Sequence, residues 1–183
     1  MLTRPMAQPT TMVGPTGGVS RPLLVDVKTD ATNSYSVLRE VLRRYETMLT
    51  RFVPGETQTN AVTVIISGNR ARGWLASETN RFAAYDGRLA DLDSPDSPQL
   101  IPLVSDNWSQ HFQWRAREVD GPMSEAERAK LKKLVERTHQ QGRRLRLWAT
   151  PDQRAMWSEL RAAGVDYINT DQLDGLRDFL LAP

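Results

Sequence analysis

The sequence predicts an α/β fold built on six mainly parallel strands. Short strand-like apolar runs alternate with amphipathic helical ones, the order of repeated strand–helix units. The strongest run, Ala61–Ser67, is apolar at successive positions. A strand covered by helices on both faces reads this way. No Asn-Gly type signal joins the strands as hairpins. Two architectures fit the count: an open sheet, or the rear part of a barrel. A closed eight-stranded barrel needs two more strands and typically about 250 residues, against the 183 present.

Leu23–Val27 follows a Gly/Pro-rich stretch and is the first expected strand. Tyr35, Leu38, Val41, Leu42, Tyr45, Met48, Leu49 and Phe52 recur at helical spacing, which predicts a helix over Ser34–Arg51, ended by Pro54-Gly55. Ala61–Ser67 is the second strand. Arg81–Tyr85 and Ile101–Ser105 are the next two, with a loop over Asp91–Pro98 between them. A helix is expected over 124–140, with Ser124 and Glu127 as a capping box and Gly142 closing it. Leu145–Trp148 is the fifth strand. Thr150-Pro151-Asp152-Gln153 has the form of a helix start, with Thr150 at the cap. Val165–Asn169 is the last strand. Leu173, Leu176, Phe179 and Leu180 define the last helix. Residues 1–21 are expected to be a disordered or loosely attached tail, and residues 22–183 the domain.

Composition removes several functions. There is no cysteine, which excludes a disulfide framework, a thiol nucleophile and a thiolate metal site. With only His111 and His139 present, a three-histidine metal site within one chain is excluded too. Hydrophobic residues at 39% and charged residues at 25% are the balance of a globular protein. Lys and Arg number 24 against 22 acids, so the concentrated basic face that nucleic-acid binding needs is not expected. No apolar run reaches membrane-spanning length, and none forms the core of a signal peptide. A cytoplasmic location is expected as written, or a secreted one if the true N-terminus is missing.

The informative pattern is polar residues at successive strand ends. These are Asp26 and Lys28; Ser67, Asn69 and Arg70; Asp86 and Arg88; Ser105, Asp106 and Asn107; Arg146, Trp148 and Asp152; and Asn169 and Asp171. In parallel α/β folds, ligands bind at the carboxyl ends of the strands. Several of these residues also have structural readings. Asp86-Gly87 fits a tight turn, Asp171 a helix cap, and Trp148 and Trp157 a core. Asp26 and Lys28 lie two apart on one strand and point the same way. An acid and a base inside an apolar strand cost stability unless paired or functional. A carboxylate there suits Mg²⁺ or Ca²⁺, and a lysine suits a phosphate.

Taken in order, several segments resemble the phosphatidylinositol-phospholipase-C-like phosphodiesterase superfamily, in the branch related to glycerophosphodiester phosphodiesterases. They are Leu-Leu-Val-Asp26-Val-Lys28-Thr, Ile-Ser67-Gly68-Asn69-Arg70, Tyr85-Asp86-Gly87-Arg88, Val-Ser105-Asp106-Asn107-Trp108, Arg146-Leu-Trp148-Ala-Thr-Pro151-Asp152 and Gly164-Val-Asp166-Tyr-Ile-Asn169-Thr-Asp171. The resemblance covers roughly Pro22 to Leu181. It implies an incomplete TIM-type (β/α) barrel, holding strands three to eight of eight. It implies a phosphoric diester hydrolase-like domain of lipid metabolism, with a phosphodiester or phospholipid-derived small molecule as ligand. Asp26 would be the ligand of a Mg²⁺ or Ca²⁺ ion and Lys28 the catalytic-site contact to phosphate. Asn69, Arg70, Asp106, Trp148 and Asn169 would line the same cleft.

One departure bears on activity. Members of the superfamily carry a strand-one histidine, a strand-two acid pair and a second histidine soon after. The 21 residues before Pro22 contain no His, Asp or Glu, and neither His111 nor His139 matches those positions. The expectation is therefore a truncated domain, inactive alone, from a misplaced start, a split gene or a decayed gene. Two alternatives are a small phosphate-ligand-binding protein and a hydrolase completed by another chain. The parent chemistry is hydrolysis or a lyase-like internal transfer. Open barrel edges predict self-association.

Overall fold

The computed structural model describes residues 19–182. The chain divides into two compact units, one holding residues 19–87 and 93–103, the other 88–92 and 104–182. Most of the expected tail lies outside the described residues. Its last residues do not behave as a tail. Ser20 is buried, and its hydroxyl lies 2.8 Å from that of Thr63. Arg21 already belongs to the first strand.

In the first unit, β1 (Arg21–Val27), β4 (Val62–Gly68) and β5 (Ala83–Gly87) are neighbours in that order. Both pairings are parallel. Val64, Ile65 and Ile66 are all buried, as the uninterrupted apolar run requires of a strand covered on both faces. Helix α1 (Ala31–Arg43) starts three residues before the expected Ser34, because the Asp30 side chain caps it through Asn33 N–H at 2.8 Å. It also ends eight residues before Arg51. The chain turns over residues 44–48, and Leu49 then bridges Val62. Leu49 and Phe52 are buried as expected, but from β-structure, so the helical spacing joined two elements into one.

A hairpin was also missed. Strands β2 (Arg51–Val53) and β3 (Glu56–Gln58) pair antiparallel across Pro54-Gly55. With Gly55 at φ +75°, this is the Pro-Gly signature of a type II turn rather than Asn-Gly. A short helix, α2 (Arg72–Ser77), follows β4.

In the second unit, β6 (Leu103–Asn107), β7 (Arg144–Trp148) and β8 (Tyr167–Ile168) are neighbours in chain order. β7 and β8 pair parallel. A one-turn helix, α3 (Trp108–His111), follows β6. Helix α4 (Glu125–Gln140) precedes β7, α5 (Arg154–Ala163) precedes β8, and α6 (Leu173–Leu181) follows it. The α4 cap is half of the expected box. Ser124 accepts from Glu127 N–H, whereas the Glu127 carboxylate turns away to accept from Gln113 N–H at 2.7 Å. Helix α5 starts after Gln153, not at Thr150. The Thr150 hydroxyl donates to the Asn169 carbonyl instead.

Strand order follows chain order in each unit, without the reversal a doubly wound sheet would show. The fold class is α/β with six mainly parallel strands, the arrangement of an incomplete TIM-type barrel. Two strands are displaced by two residues from expectation. β5 spans 83–87 and β6 spans 103–107. Arg81 is drawn out of β5 by an antiparallel bridge to Phe52. Asp86 and Asp106 are consequently the strands' own residues, not those of a following turn.

The helical layer of the first unit is joined by a half-buried polar network. Tyr35 of α1 donates to Glu78 Oε2 at 2.6 Å, and Arg39 pairs with the same carboxylate. Burial, reinforced by the Glu78 hydrogen bond and charge, holds the Tyr35 phenol well above its ordinary range. The folded pKa thus exceeds the unfolded value of about 10. Its stabilising contribution is complete below about pH 10 and is lost as the pH rises further, because only the unfolded chain then ionises. Tyr35→Phe is expected to cost about 1 kcal/mol at neutral pH through the lost bond. The difference between wild type and variant should shrink above about pH 10, as measured by urea unfolding at both pH values.

Candidate functional site

In the first unit, the register assembles one polar row. Asp26 on β1 stands opposite Ser67 on β4, and Ile66 opposite Tyr85 brings Asp86 of β5 next to it. The Ser67 hydroxyl donates to Asp86 Oδ2 at 2.6 Å. Asp86 is fully buried, whereas the Asp26 side chain is 53% exposed. Lys28 Nζ lies 2.7 Å from Asp26 Oδ2, with its side chain 79% exposed. An ion pair this open contributes between zero and about 1 kcal/mol. Stability therefore gives little reason for an acid and a base at this strand end.

Gly68 lets the row close up. It sits at φ +70°, and a Cβ there would collide with Asp26 Oδ1 and the Val27 carbonyl. Asn69 spends its polar groups on the same junction: its N–H donates to the Val27 carbonyl at 2.8 Å and its Nδ2 to that of Thr29 at 2.9 Å. Arg70 donates to the Asp86 carbonyl, with its guanidinium 4.5 Å from the Tyr85 ring centroid. The structure thus gathers Asp26, Lys28, Asn69 and Arg70 at the carboxyl ends of β1 and β4. It adds Ser67 and Asp86, whose signal was their placement after apolar runs.

In the second unit, Asp106 lies at the end of β6, nearly buried. It accepts from Asn107 N–H at 2.8 Å and Leu89 N–H at 3.2 Å. Asn169 follows β8 and accepts from Arg146 of β7. Trp148 is half-buried at the end of β7. Trp157 is buried in α5, as its core reading anticipated. Asp152 accepts from the Thr170 hydroxyl at 2.5 Å and from Asp171 N–H. Asp171 does not cap α6, whose cap position is Gln172.

Residues 144–174 match the glycerophosphoryl diester phosphodiesterase family. That stretch runs from the start of β7 into α6 and contains the Arg146–Asn169 pair, Trp148 and Asp152. Neither a curated protein nor a solved structure matches the chain. For the metal that the phosphodiesterase resemblance implies, the donor set is thin. Among the described residues no three His, Asp or Glu side chains are grouped to hold an ion. One oxygen of Asp26 is already paired with the Lys28 ammonium. Ca²⁺ takes six to eight oxygen ligands and Mg²⁺ six in octahedral geometry. The residues present do not fit that requirement.

Two glycines separate conformational cost from crowding. Gly55 and Gly68 both have positive φ, but nothing lies within 4 Å of a Cβ built on Gly55. Gly55→Ala should cost about 1–2 kcal/mol, the left-handed backbone penalty alone. Gly68→Ala should cost clearly more, because the backbone carbonyl of Val27 cannot move aside without breaking the β1–β4 ladder. Urea unfolding of the two variants measures the difference.

Proposed function

We propose that this chain is a phosphoric diester hydrolase-like domain that binds a phosphodiester at the carboxyl ends of its strands and does not turn it over alone. The observation that carries this reading is the family match over residues 144–174. The exposed Asp26–Lys28 pair supports it from the other unit. Lys28 supplies a point charge to a phosphoryl oxygen, and the Arg70 guanidinium adds a second cation held by the Asp86 carbonyl and the Tyr85 ring. In the other unit, Arg146 and Asn169 pair at the ends of β7 and β8, beside the Trp148 indole, within the stretch that matches the family. Metal binding in this reading requires oxygen ligands beyond Asp26.

The inactive reading concerns these 183 residues, which hold only two histidines, His111 and His139, and neither matches a catalytic position of the superfamily. A missing positioned acid or base costs about 10²–10⁴-fold for each role. The 183-residue chain should therefore show no metal-dependent hydrolysis of a bis-aryl phosphodiester or of glycerophosphodiesters, with Mg²⁺ or Ca²⁺ added. It should still bind a glycerophosphodiester, and Lys28→Ala should weaken that binding about tenfold. Metal-dependent turnover that Asp26→Ala abolishes would overturn the inactive reading.

A second reading, completion by another chain, is favoured by one observation. Leu23 on β1 and Val37, Val41, Tyr45 and Met48 on and after α1 are all exposed. Sedimentation velocity over a range of concentrations tests it. A compact monomer throughout would remove it.

A further inference from the structure

The sequence places His111 in a long loop, able to approach the barrel mouth but matching no catalytic position, and the structure sets it against one of the strand-end carboxylates. Its Nε2 is buried, with Asp106 Oδ2 3.3 Å away as an ion-pair contact short of hydrogen-bond geometry, and among the described residues it has no hydrogen-bond partner. The side chain as a whole is 28% exposed, and Nδ1 is not among its buried polar atoms. One ring nitrogen thus faces a carboxylate while the other faces outward. When a carboxylate fixes one nitrogen of an imidazole, it sets the tautomer and aims the second nitrogen at whatever binds.

Hydrogen bonds and packing on both sides hold the backbone that carries it. Asn107 caps α3 through Ser109 N–H at 2.9 Å. That single turn carries His111 back over the end of β6. Trp108 is fully buried, stacks on Phe112 at 4.1 Å, and donates through Nε1 to the Trp114 carbonyl at 2.8 Å. Lys130 of α4 donates to the His111 carbonyl. Asp106 is held in turn by two backbone N–H groups.

We propose that His111, oriented by Asp106, is the imidazole that donates a hydrogen bond from Nδ1 to an acidic oxygen of a bound phosphodiester. The inference rests on the phosphodiester-binding reading and adds to it a ligand-contacting residue outside the positions the family match covers. Arg88 brings a second cation to the same strand end, donating to the Ser105 carbonyl at 3.2 Å. The charged groups around the imidazole are Asp106 of β6, Arg88 after β5, Lys130 and Glu127 of α4, and Arg115 beyond α3, which donates to the Phe112 carbonyl. An imidazole that donates from both nitrogens, to Asp106 and to the ligand, carries a positive charge. Binding is therefore coupled to proton uptake whenever the free imidazole is neutral.

The chain suits the test because it has only two histidines. His139 supplies the internal reference. Its Nε2 lies 2.8 Å from Asp166, which also accepts from Leu145 N–H at the start of β7. Imidazole ¹⁵N spectra of the full chain, assigned with His139→Gln, should show His111 as the Nε2–H tautomer when neutral. Glycerophosphocholine should drive His111 toward its doubly protonated form and leave His139 unmoved. Asp106→Asn should remove the tautomer preference. In calorimetry, proton uptake on binding should disappear in His111→Gln, with affinity about tenfold lower, and persist in His139→Gln. Inorganic phosphate run beside the diester distinguishes the two sources of a phosphoryl oxygen. Equal responses to both support the contact and assign it to the phosphoryl group. Binding that Lys28→Ala weakens but His111 does not sense would overturn this inference and leave the proposed function standing. No binding of either probe would overturn both.

Discussion

The parallel register between β1 and β4 is the constraint on which the rest of the first unit depends. It sets Asp26 opposite Ser67 and Val27 opposite Gly68. A shift by one residue would turn every side chain of β1 to the other face. Asp26 would then leave the face it shares with Ser67. The register is held at both ends. At the start of the strands, the Ser20, Thr50 and Thr63 hydroxyls form one buried cluster. At the finish, Gly68 admits the Asp26 carboxylate and the Val27 carbonyl at a distance no side chain would tolerate. The polar row of Asp26, Ser67 and Asp86 thus follows from strand pairing, and needs no loop to hold it.

The two units treat their strand-end carboxylates in the same way. Asp86 is buried and receives the Ser67 hydroxyl. Asp106 is nearly buried and receives two backbone N–H groups. Each is desolvated and each is hydrogen-bonded, which is the condition for keeping a carboxylate inside a fold. Asp26 differs in being half exposed and, among the described residues, paired with an exposed lysine. The buried acids organise neighbouring groups, whereas Asp26 and Lys28 remain accessible to a ligand.

Much of the fold was legible because parallel strands carry an unambiguous signal. The apolar runs at residues 23–27, 61–67 and 145–148 all proved to be strands. Boundaries failed where a second element borrowed the first one's periodicity. Leu49 and Phe52 continue the spacing of α1 while belonging to β-structure. The β2–β3 hairpin escaped notice because its turn is Pro-Gly and its strands are three residues long. In the candidate site, Asp26 and Lys28 stood out because a charge inside an apolar strand is rare. Asp86 was discounted because Asp-Gly is also a turn signal, and only the ladder shows it to be in β5.

The contact between His111 and Asp106 was illegible for a different reason. Its significance lies in one turn of helix that reverses the chain after β6, and a four-residue helix leaves no periodicity to read. The aromatic residues on either side were the available clue. Trp108, Phe112 and Trp114 occur within seven residues, and all three are buried. Burial on that scale in a loop has to serve a fixed geometry, since a surface loop has no general need of it. What it fixes here is the backbone that carries His111, whose ring rests on Asp106. The same segment is tied to α4 twice, through Lys130 on the His111 carbonyl and Glu127 on Gln113 N–H. Glu127 makes that second tie with the carboxylate that a complete capping box would have used on α4. The half-made cap and the anchored loop are therefore one structural choice: local helix stability is given up to hold the segment beside the end of β6.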